Sequence, residues 1–221
     1  MILSIDSSAK TASASLTDGD RIIKSEFKNT GLTHSETLLP MIKRVMDGTP
    51  YSLLDAIAVT AGPGSFTGVR IGVATVKGLA FENDIPCISV STLEAIAYNF
   101  IDKNCTVCAV MDARRMQFYN AVFSIENGVC RRLTPDRAIA LEDLRDELKT
   151  FGSVIIAGDG AKLCFDNLGL DNAVLPSEDL IFQNAVSISK AAQHKTPVQP
   201  SALMPVYLRQ SQAERELKLK M

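Results

Sequence analysis

Two short segments of the chain put a carboxylate at the end of an apolar run and follow it with polar or basic residues. Ile2 to Ile5 runs into Asp6-Ser7-Ser8-Ala9-Lys10, and Val107 to Met111 runs into Asp112-Ala113-Arg114-Arg115. A carboxylate beside a turn handles a metal and phosphate when the turn carries glycine, because glycine lets backbone N–H groups approach an anion. Neither turn has one. The hydroxyls of Ser7 and Ser8 and the charges of Arg114 and Arg115 can still attract an anion. Each aspartate also suits a plainer task, closing its own turn, and that reading is preferred.

A third segment is AIAVTAGPGSFTGVRIGVATVKGLAF, from Ala56 to Phe81. A β-branched run enters Gly62-Pro63-Gly64-Ser65 and leaves as a helix, the strand-loop-helix unit with which α/β folds present a site. The glycines permit backbone conformations closed to other residues, Pro63 fixes one φ, and Ser65 or Thr67 can cap the helix. Gly68 and Gly72 leave one helix face without side chains, so another backbone can approach there. A helix start of this kind suits an anion. Yet no Gly-Lys-Ser/Thr follows, and Pro63 stands where a nucleophile elbow needs glycine. A tight packing turn is the favoured reading.

Thiols and imidazoles add little. The five cysteines are scattered, and Cys105 and Cys108 form a single C-x-x-C at the start of an apolar run. On a strand that spacing puts the two thiols on opposite faces, so small buried hydrophobes are expected rather than a redox or metal half-site. The two histidines, His34 and His194, are far apart. A serine triad has no motif here. His34 reads as a capping or interface residue rather than a metal ligand.

The elements that must position these residues follow from periodicity. Ile2–Asp6, Thr11–Leu16 and Arg21–Phe27 read as three successive strands, the last two joined at Asp18-Gly19-Asp20. Thr33 and Glu36 make a capping box for a helix with Leu38, Ile42 and Val45 on one stripe and Met41 and Leu39 alongside. Pro40 kinks that helix or delays its start. Ile57–Thr60 is a strand before the glycine turn and the helix of Val69–Phe81. Cys87–Val90 is another strand, and Ser91 with Glu94 boxes a helix over Thr92–Phe100. Asp102-Lys103-Asn104 is a polar break. Beyond it the plan repeats: Val107–Asp112, Gln117–Phe123, a turn at Asn127-Gly128, and SVIIAGDGA echoing AVTAGPGSF. An acidic surface helix is expected over Leu141–Thr150, and another helix over Ile181–His194. Then comes the extended TPVQPSALMPVYLR, and Ser211 with Glu214 boxes a last helix.

Two similar halves built strand, strand, strand, helix, strand, helix describe an α/β fold with actin-like, sugar-kinase-like (ribonuclease-H-like) halves, each a mixed sheet with flanking helices. The expected units are residues 1–103 and 104–221, with the final helix, about 205–221, packing back on the first. A chain of 221 residues with 46% hydrophobic and 22% charged residues has the composition of a soluble protein with a sizeable core. Its formal charge of −2 lacks the basic excess of a protein that grips nucleic acid by itself. No uncharged apolar run nears the ~20 residues that span a bilayer. MILSIDSS has no secretion-signal character, so a reducing cytoplasm is expected.

GPGSFTGVRIG, together with ILSIDSS, HSETLLP, VSTLEAIA, MDARRMQFY, AGDG and PVYLRQSQAE in that order, resembles the bacterial TsaB (YeaZ) family over essentially the whole chain. The resemblance implies the dimerisation subunit of the complex that makes threonylcarbamoyladenosine at position 37 of tRNA. It implies TsaD as heterodimer partner, the ATPase TsaE as a further partner, a homodimer when TsaD is absent, and contact with tRNA only through the complex. It implies no catalysis. The paralogue TsaD holds a metal through paired histidines, and its pattern laid on Val90–Ile96 puts Thr92 and Ile96 at the ligand positions, where neither replaces imidazole. No cofactor is expected, neither an intrinsic metal nor a nucleotide held by the isolated chain. Asp6, Ser7, Ser8, Asp112 and Arg114 are degenerate phosphate-loop positions, and Gly62, Pro63, Gly64 and Ser65 a structural loop. By the same resemblance His34, Glu36, Leu38, Leu39, Ile42, Val45, Gly68, Arg70, Gly72 and Val73 form the partner interface. Leu38→Asp or Ile42→Asp is then expected to spare the fold and abolish partner binding. A small-molecule kinase or ATPase, and a peptidase, are the rival readings.

Overall fold

A computed structural model describes residues 1–29 and 34–209. The first sheet contains β1 (Ile2–Asp6), β2 (Ala12–Asp18), β3 (Arg21–Lys28), β4 (Ala56–Gly62) and β5 (Cys87–Ser91), in the order β3-β2-β1-β4-β5. β1 pairs antiparallel with β2 and parallel with β4, which pairs parallel with β5. Every residue of β4 is buried, as a central strand covered on both faces requires. The two-residue alternation of β1 and β4 sorts their side chains between two cores. Leu3, Ile5, Ile57 and Val59 meet α1 (His34–Met46) and α2 (Phe66–Phe81). Ala56 and Ala58 face the other way, toward α3 (Thr92–Ala97) and α7 (Ala185–Ala192).

The second sheet repeats the plan. β6 (Cys105–Asp112), β7 (Gln117–Glu126), β8 (Val129–Arg132), β10 (Val154–Ala157) and β11 (Ala173–Val174) lie in the order β11-β10-β6-β7-β8, with β9 (Arg137–Ala140) pairing β7. β6 is antiparallel to β7 and parallel to β10, as β1 is to β2 and β4. α4 (Leu141–Leu148) and α5 (Ala161–Leu168) cover one face, and α3 the other. α4 turns Leu141, Leu144 and Leu148 inward and carries its acidic residues outside. The Asn127-Gly128 turn takes positive φ at both positions, the requirement of a tight hairpin.

The halves are interlocked. α7 follows the second sheet in sequence but packs on β1, β2, β4 and β5 of the first. The side chain of Asn99 fixes its approach, donating to the carbonyls of Leu180 and Phe182 at 2.9 and 2.8 Å and accepting from Asn184 Nδ2 at 3.0 Å. Residues 196–209 then run back along the first half. Cys87 and Val198 form a bridge, Leu203 enters the core, and the Val206 N–H donates to the Ala61 carbonyl at 2.7 Å.

Several local expectations change. α1 runs through Pro40 from His34, without a delayed start. Pro40 and Glu36 are exposed, so water can serve the carbonyl that the proline leaves unpaired. The single helix expected over Ile181–His194 is broken, because Asn184 acts as an N-cap for α7, accepting from the Ser187 N–H at 3.0 Å, while α6 (Glu178–Ile181) is one short turn. At Ser91 only half a capping box forms. Its hydroxyl accepts from the Glu94 N–H at 3.3 Å, but the Glu94 carboxylate turns to Lys195 at 2.8 Å and Arg132 at 3.6 Å. Residues 205–209 are not helical. Thr33, Ser211 and Glu214, and with them the capping box of α1 and the last helix, lie outside the described residues.

Leu38, Ile42 and Val45 are each 1% exposed, packed between α1 and the first sheet. An uncompensated aspartate there costs well over the mean of a point mutation. Contrary to the sequence expectation, Ile42→Asp should unfold the protein, a loss of about 4 kcal/mol or more. Urea denaturation followed by circular dichroism checks this.

Candidate functional site

The two carboxylate turns face each other across a cleft between the halves. In the first, one oxygen of Asp6 accepts from the Ser8 N–H at 3.1 Å, the Ser8 hydroxyl at 2.6 Å and the Thr60 hydroxyl at 2.5 Å. Asp6 is fully buried, and burial pushes its carboxyl above the usual range against the pull of those donors. In the second, Asp112 accepts from the Arg114 N–H at 2.7 Å. Each aspartate therefore closes its own turn. The second turn is strained, with Arg114, Arg115 and Met116 all at positive φ.

The start of α2 is filled by the chain itself. The Ser65 N–H donates to the Ser8 carbonyl at 2.7 Å, and the Ser65 hydroxyl caps the helix by accepting from the Gly68 N–H at 3.3 Å. The Ser7 hydroxyl donates to the Gly68 carbonyl at 2.9 Å. A Cβ on Gly64 would stand 2.3 Å from the Ser8 carbonyl oxygen, and one on Gly68 2.1 Å from that of Ser7. Backbone from the first turn thus lies where a phosphate would have to approach. The other half repeats the device, since a Cβ on Gly160 would stand 2.8 Å from Asp112 N, and Gly158 and Gly62 share a φ of +120°.

The structure moves six of the ten expected partner-contact residues inside. Leu38, Ile42, Val45 and Val73 belong to the core under α1 and α2, and Gly68 and Gly72 are buried against Ser7. A 3.6-residue stripe is satisfied by the chain's own sheet before it can serve a partner. His34 is half-buried and ties α1 to the first turn, its Nε2 donating to the Ala9 carbonyl at 2.6 Å. Glu36, Leu39 and Arg70 do face outward. With them stand Thr67, Ala74, Gly78 and Phe81 of α2, Leu39 being 52% and Phe81 83% exposed.

Asp159 is the site residue that the sequence reading passed over. It occupies the place in Gly158-Asp159-Gly160 that Pro63 holds in Gly62-Pro63-Gly64, and that repeat was the available signal. Burial pushes its carboxyl up to about 6; Asp112 and Asp6 act in the same direction, and the Asp112 N–H and Lys10 oppose it. Its Oδ1 is sealed from solvent without a hydrogen-bond partner.

Thr92 and Ile96 are both fully buried on α3, where a hydroxyl and an alkyl chain offer nothing to a metal. Among the described residues no three His, Cys, Asp or Glu side chains are grouped to hold one. Cys105 and Cys108 face opposite cores, as their spacing implied. Burial raises both thiols, Cys108 the further, which disfavours thiolate chemistry.

The comparisons with known proteins agree on one family. Residues 28–196 match the model for TsaD, tRNA N6-adenosine threonylcarbamoyltransferase. The chain is 30% identical to the tRNA threonylcarbamoyladenosine biosynthesis protein TsaB of Escherichia coli, across 98% of this chain and 97% of that protein. It is 36% identical to TsaB of Bacillus subtilis, across 67% of this chain and 66% of that one. Among solved structures, YeaZ from Pseudomonas aeruginosa superposes with a TM-score of 0.80 at 26% identity, covering 94% of this chain and 99% of its own.

Two predictions test the geometry. Gly68→Ala should cost about 1–3 kcal/mol, the penalty of overpacking, while Gly78→Ala, with nothing within 4 Å, should stabilise by about 0.5–1 kcal/mol through helix propensity; equilibrium unfolding separates them. Asp159 holds its proton more tightly folded than unfolded, about 6 against 3.8, so its contribution to stability falls as pH rises through that window. Asp159→Asn should remove a penalty on the order of 2–3 kcal/mol near pH 7 and little near pH 4, read from urea midpoints at both values.

Proposed function

The chain belongs to the TsaB (YeaZ) family, related to the tRNA N6-adenosine threonylcarbamoyltransferase TsaD, and on that ground we propose that it is a non-catalytic subunit of the complex making threonylcarbamoyladenosine at position 37 of tRNA. In this role it binds TsaD, holds it in the conformation that transfers the threonylcarbamoyl group, and offers part of the surface on which TsaE docks. It acts in the cytoplasm, reaches tRNA through TsaD, and pairs with a second copy of itself when TsaD is missing.

The observation that carries this reading is the outer side of α1 and α2. Once both helices have satisfied their own sheet, an exposed stripe remains. Thr67, Arg70, Ala74, Gly78 and Phe81 follow one another at helical spacing on α2, beside Leu39 on α1. Small residues at 74 and 78 let another helix come close, and Phe81 and Leu39 supply apolar area at the two sides. Two helices from each partner can provide the ~1,600 Å² of an ordinary specific interface. The docking role expected for Leu38, Ile42, Val45, Gly68, Gly72 and Val73 passes to this stripe.

A nucleotide-using enzyme is the weaker alternative. Its phosphate turns would need backbone N–H groups pointing into the cleft, and at the start of α2 the Ser65 N–H is already engaged by the Ser8 carbonyl. The peptidase alternative lacks a grouped set of metal ligands among the described residues.

Leu39→Asp and Phe81→Asp, each on an exposed position, should leave the unfolding midpoint unchanged and weaken co-purification with TsaD at least roughly tenfold. In a reconstituted reaction with TsaD, TsaE, threonylcarbamoyl donor and unmodified tRNA, omission of this chain should abolish turnover, and both variants should restore little of it. Full activity of both variants would refute the assignment of the face.

A further inference from the structure

The edge of a sheet presents a row of backbone N–H and C=O groups without a strand to bond, and natural sheets shorten, charge or cover their edges. The first sheet treats its two edges differently. On β5 the returning segment provides cover: the Cys87 N–H donates to the Val198 carbonyl at 2.8 Å, and the Val198 N–H to the Cys87 carbonyl at 2.7 Å. The opposite edge is β3, eight residues long without Gly or Pro, and among the described residues it pairs with β2 alone. The outer strands of the second sheet are shorter, four residues in β8 and two in β11. β3 also keeps apolar side chains in solvent, with Ile22, Ile23 and Phe27 49%, 43% and 46% exposed.

The charges along β3 complement themselves. Lys24 and Glu26 lie on the α1 side, where Lys24 Nζ is 2.8 Å from Asp47 and Glu26 accepts from Arg44 Nε and Nη2 at 2.9 and 2.8 Å. Ser25 and Phe27 lie on the other face, the Phe27 ring 6.4 Å from that of Phe182. A two-fold axis perpendicular to a sheet keeps each side chain on its own face, so it must pass between one residue and the same residue of a second copy. With the axis at Ser25, Lys24 of each copy stands opposite Glu26 of the other, and Ile23 opposite Phe27, an aliphatic–aromatic pair. Moving the axis by one residue sets Lys24 opposite Lys24, or Glu26 opposite Glu26, and like charges directly opposite are destabilising. The ion pairs already made leave room for this, since an ammonium has three donors and a carboxylate about four acceptor positions.

We propose that β3 pairs antiparallel with β3 of a second copy of this chain, about a two-fold axis at Ser25, and so joins the two first sheets into one. The strand is straight enough for this around the axis, because its register with β2 is regular from Lys24 to Lys28 and shifts only beyond Lys24, where Ile23 is left unmatched. The contact consists of backbone hydrogen bonds along the edge, two Lys24–Glu26 pairs on the α1 side and two Ile23–Phe27 pairs on the other. It is independent of the outer face of α1 and α2, which it leaves to TsaD.

The test is sedimentation velocity on the full chain carrying Leu39→Asp and Phe81→Asp, so that pairing through the helix face cannot stand in for pairing through the edge. The dimer fraction should rise with concentration. Lys24→Glu, which sets carboxylates opposite each other on both sides of the axis, should raise the dimer dissociation constant at least roughly fivefold. Adding Glu26→Lys to it should restore the dimer. In the same background Ser25→Cys, on the axis, should cross-link to a dimer in glutathione disulfide, and Ile22→Cys, away from it, should not. This cross-linking carries the test if the charge-swapped variant does not fold. A monomer up to about 1 mM would overturn the proposal, as would a dimer that Lys24→Glu does not weaken, a folded charge swap that fails to restore it, or equal cross-linking of the two cysteine variants.

Discussion

The contact between the Ser7–Ser8 turn and the side-chain-free face of α2 sets the geometry of the first half. Carbonyls of that turn sit within 2.3 Å of where Cβ atoms on Gly64 and Gly68 would be, so helix and turn are pressed together at backbone distance. That approach needs glycine on the helix and a small polar residue on the turn, and Ser7 answers with a hydrogen bond to the Gly68 carbonyl. It also engages the Ser65 N–H with the Ser8 carbonyl, while the Ser65 hydroxyl takes the Gly68 N–H.

This has consequences further out. Because α2 is fixed through its glycines, its core residues Val69, Val73 and Val76 lie against β4, and the outer stripe from Thr67 to Phe81 is left to solvent. α1 is fixed by its own apolar stripe and by His34 to the Ala9 carbonyl. Both helices are thus held rigidly by contacts on their inner sides, which lowers the ordering cost of docking on their outer sides. The returning segment adds to this rigidity, since Lys77 donates to the carbonyls of Ser201 and Leu203, both at 3.2 Å, and Arg70 to Tyr207.

Comparing the halves separates what is shared from what is particular. Each begins with a strand ending in aspartate, each aspartate accepts an N–H two residues on, and each later strand enters its helix through a glycine at φ +120°. The halves differ in what stands between those glycines and the next. Pro63 adds no charge, whereas Asp159 brings a second carboxylate to a cleft already lined by Asp112. The asymmetry puts a carboxylate between the paired glycines of the second half alone.

Although they did not extend to β9, to β11 or to the choice of Ser65 over Thr67 as cap, local signals in the sequence were enough for the five strands of the first sheet and for β6, β7 and β10, the turns at Gly19 and Gly128, the opposite facing of Cys105 and Cys108, and the repeated plan of the halves. Each of these depends on a few neighbouring residues and on backbone sterics, which sequence encodes directly. Tertiary structure decided which face of α1 and α2 remained free. Periodicity marks an apolar stripe but not whether a sheet or a partner will cover it, so Leu38 and Ile42 read the same in either case. The break at Asn184, the burial of Asp159 and the path of the returning segment were beyond sequence for a related reason. Each depends on groups far away in the chain, Asn99, Asp6 and Phe66 among them, that only folding brings within reach.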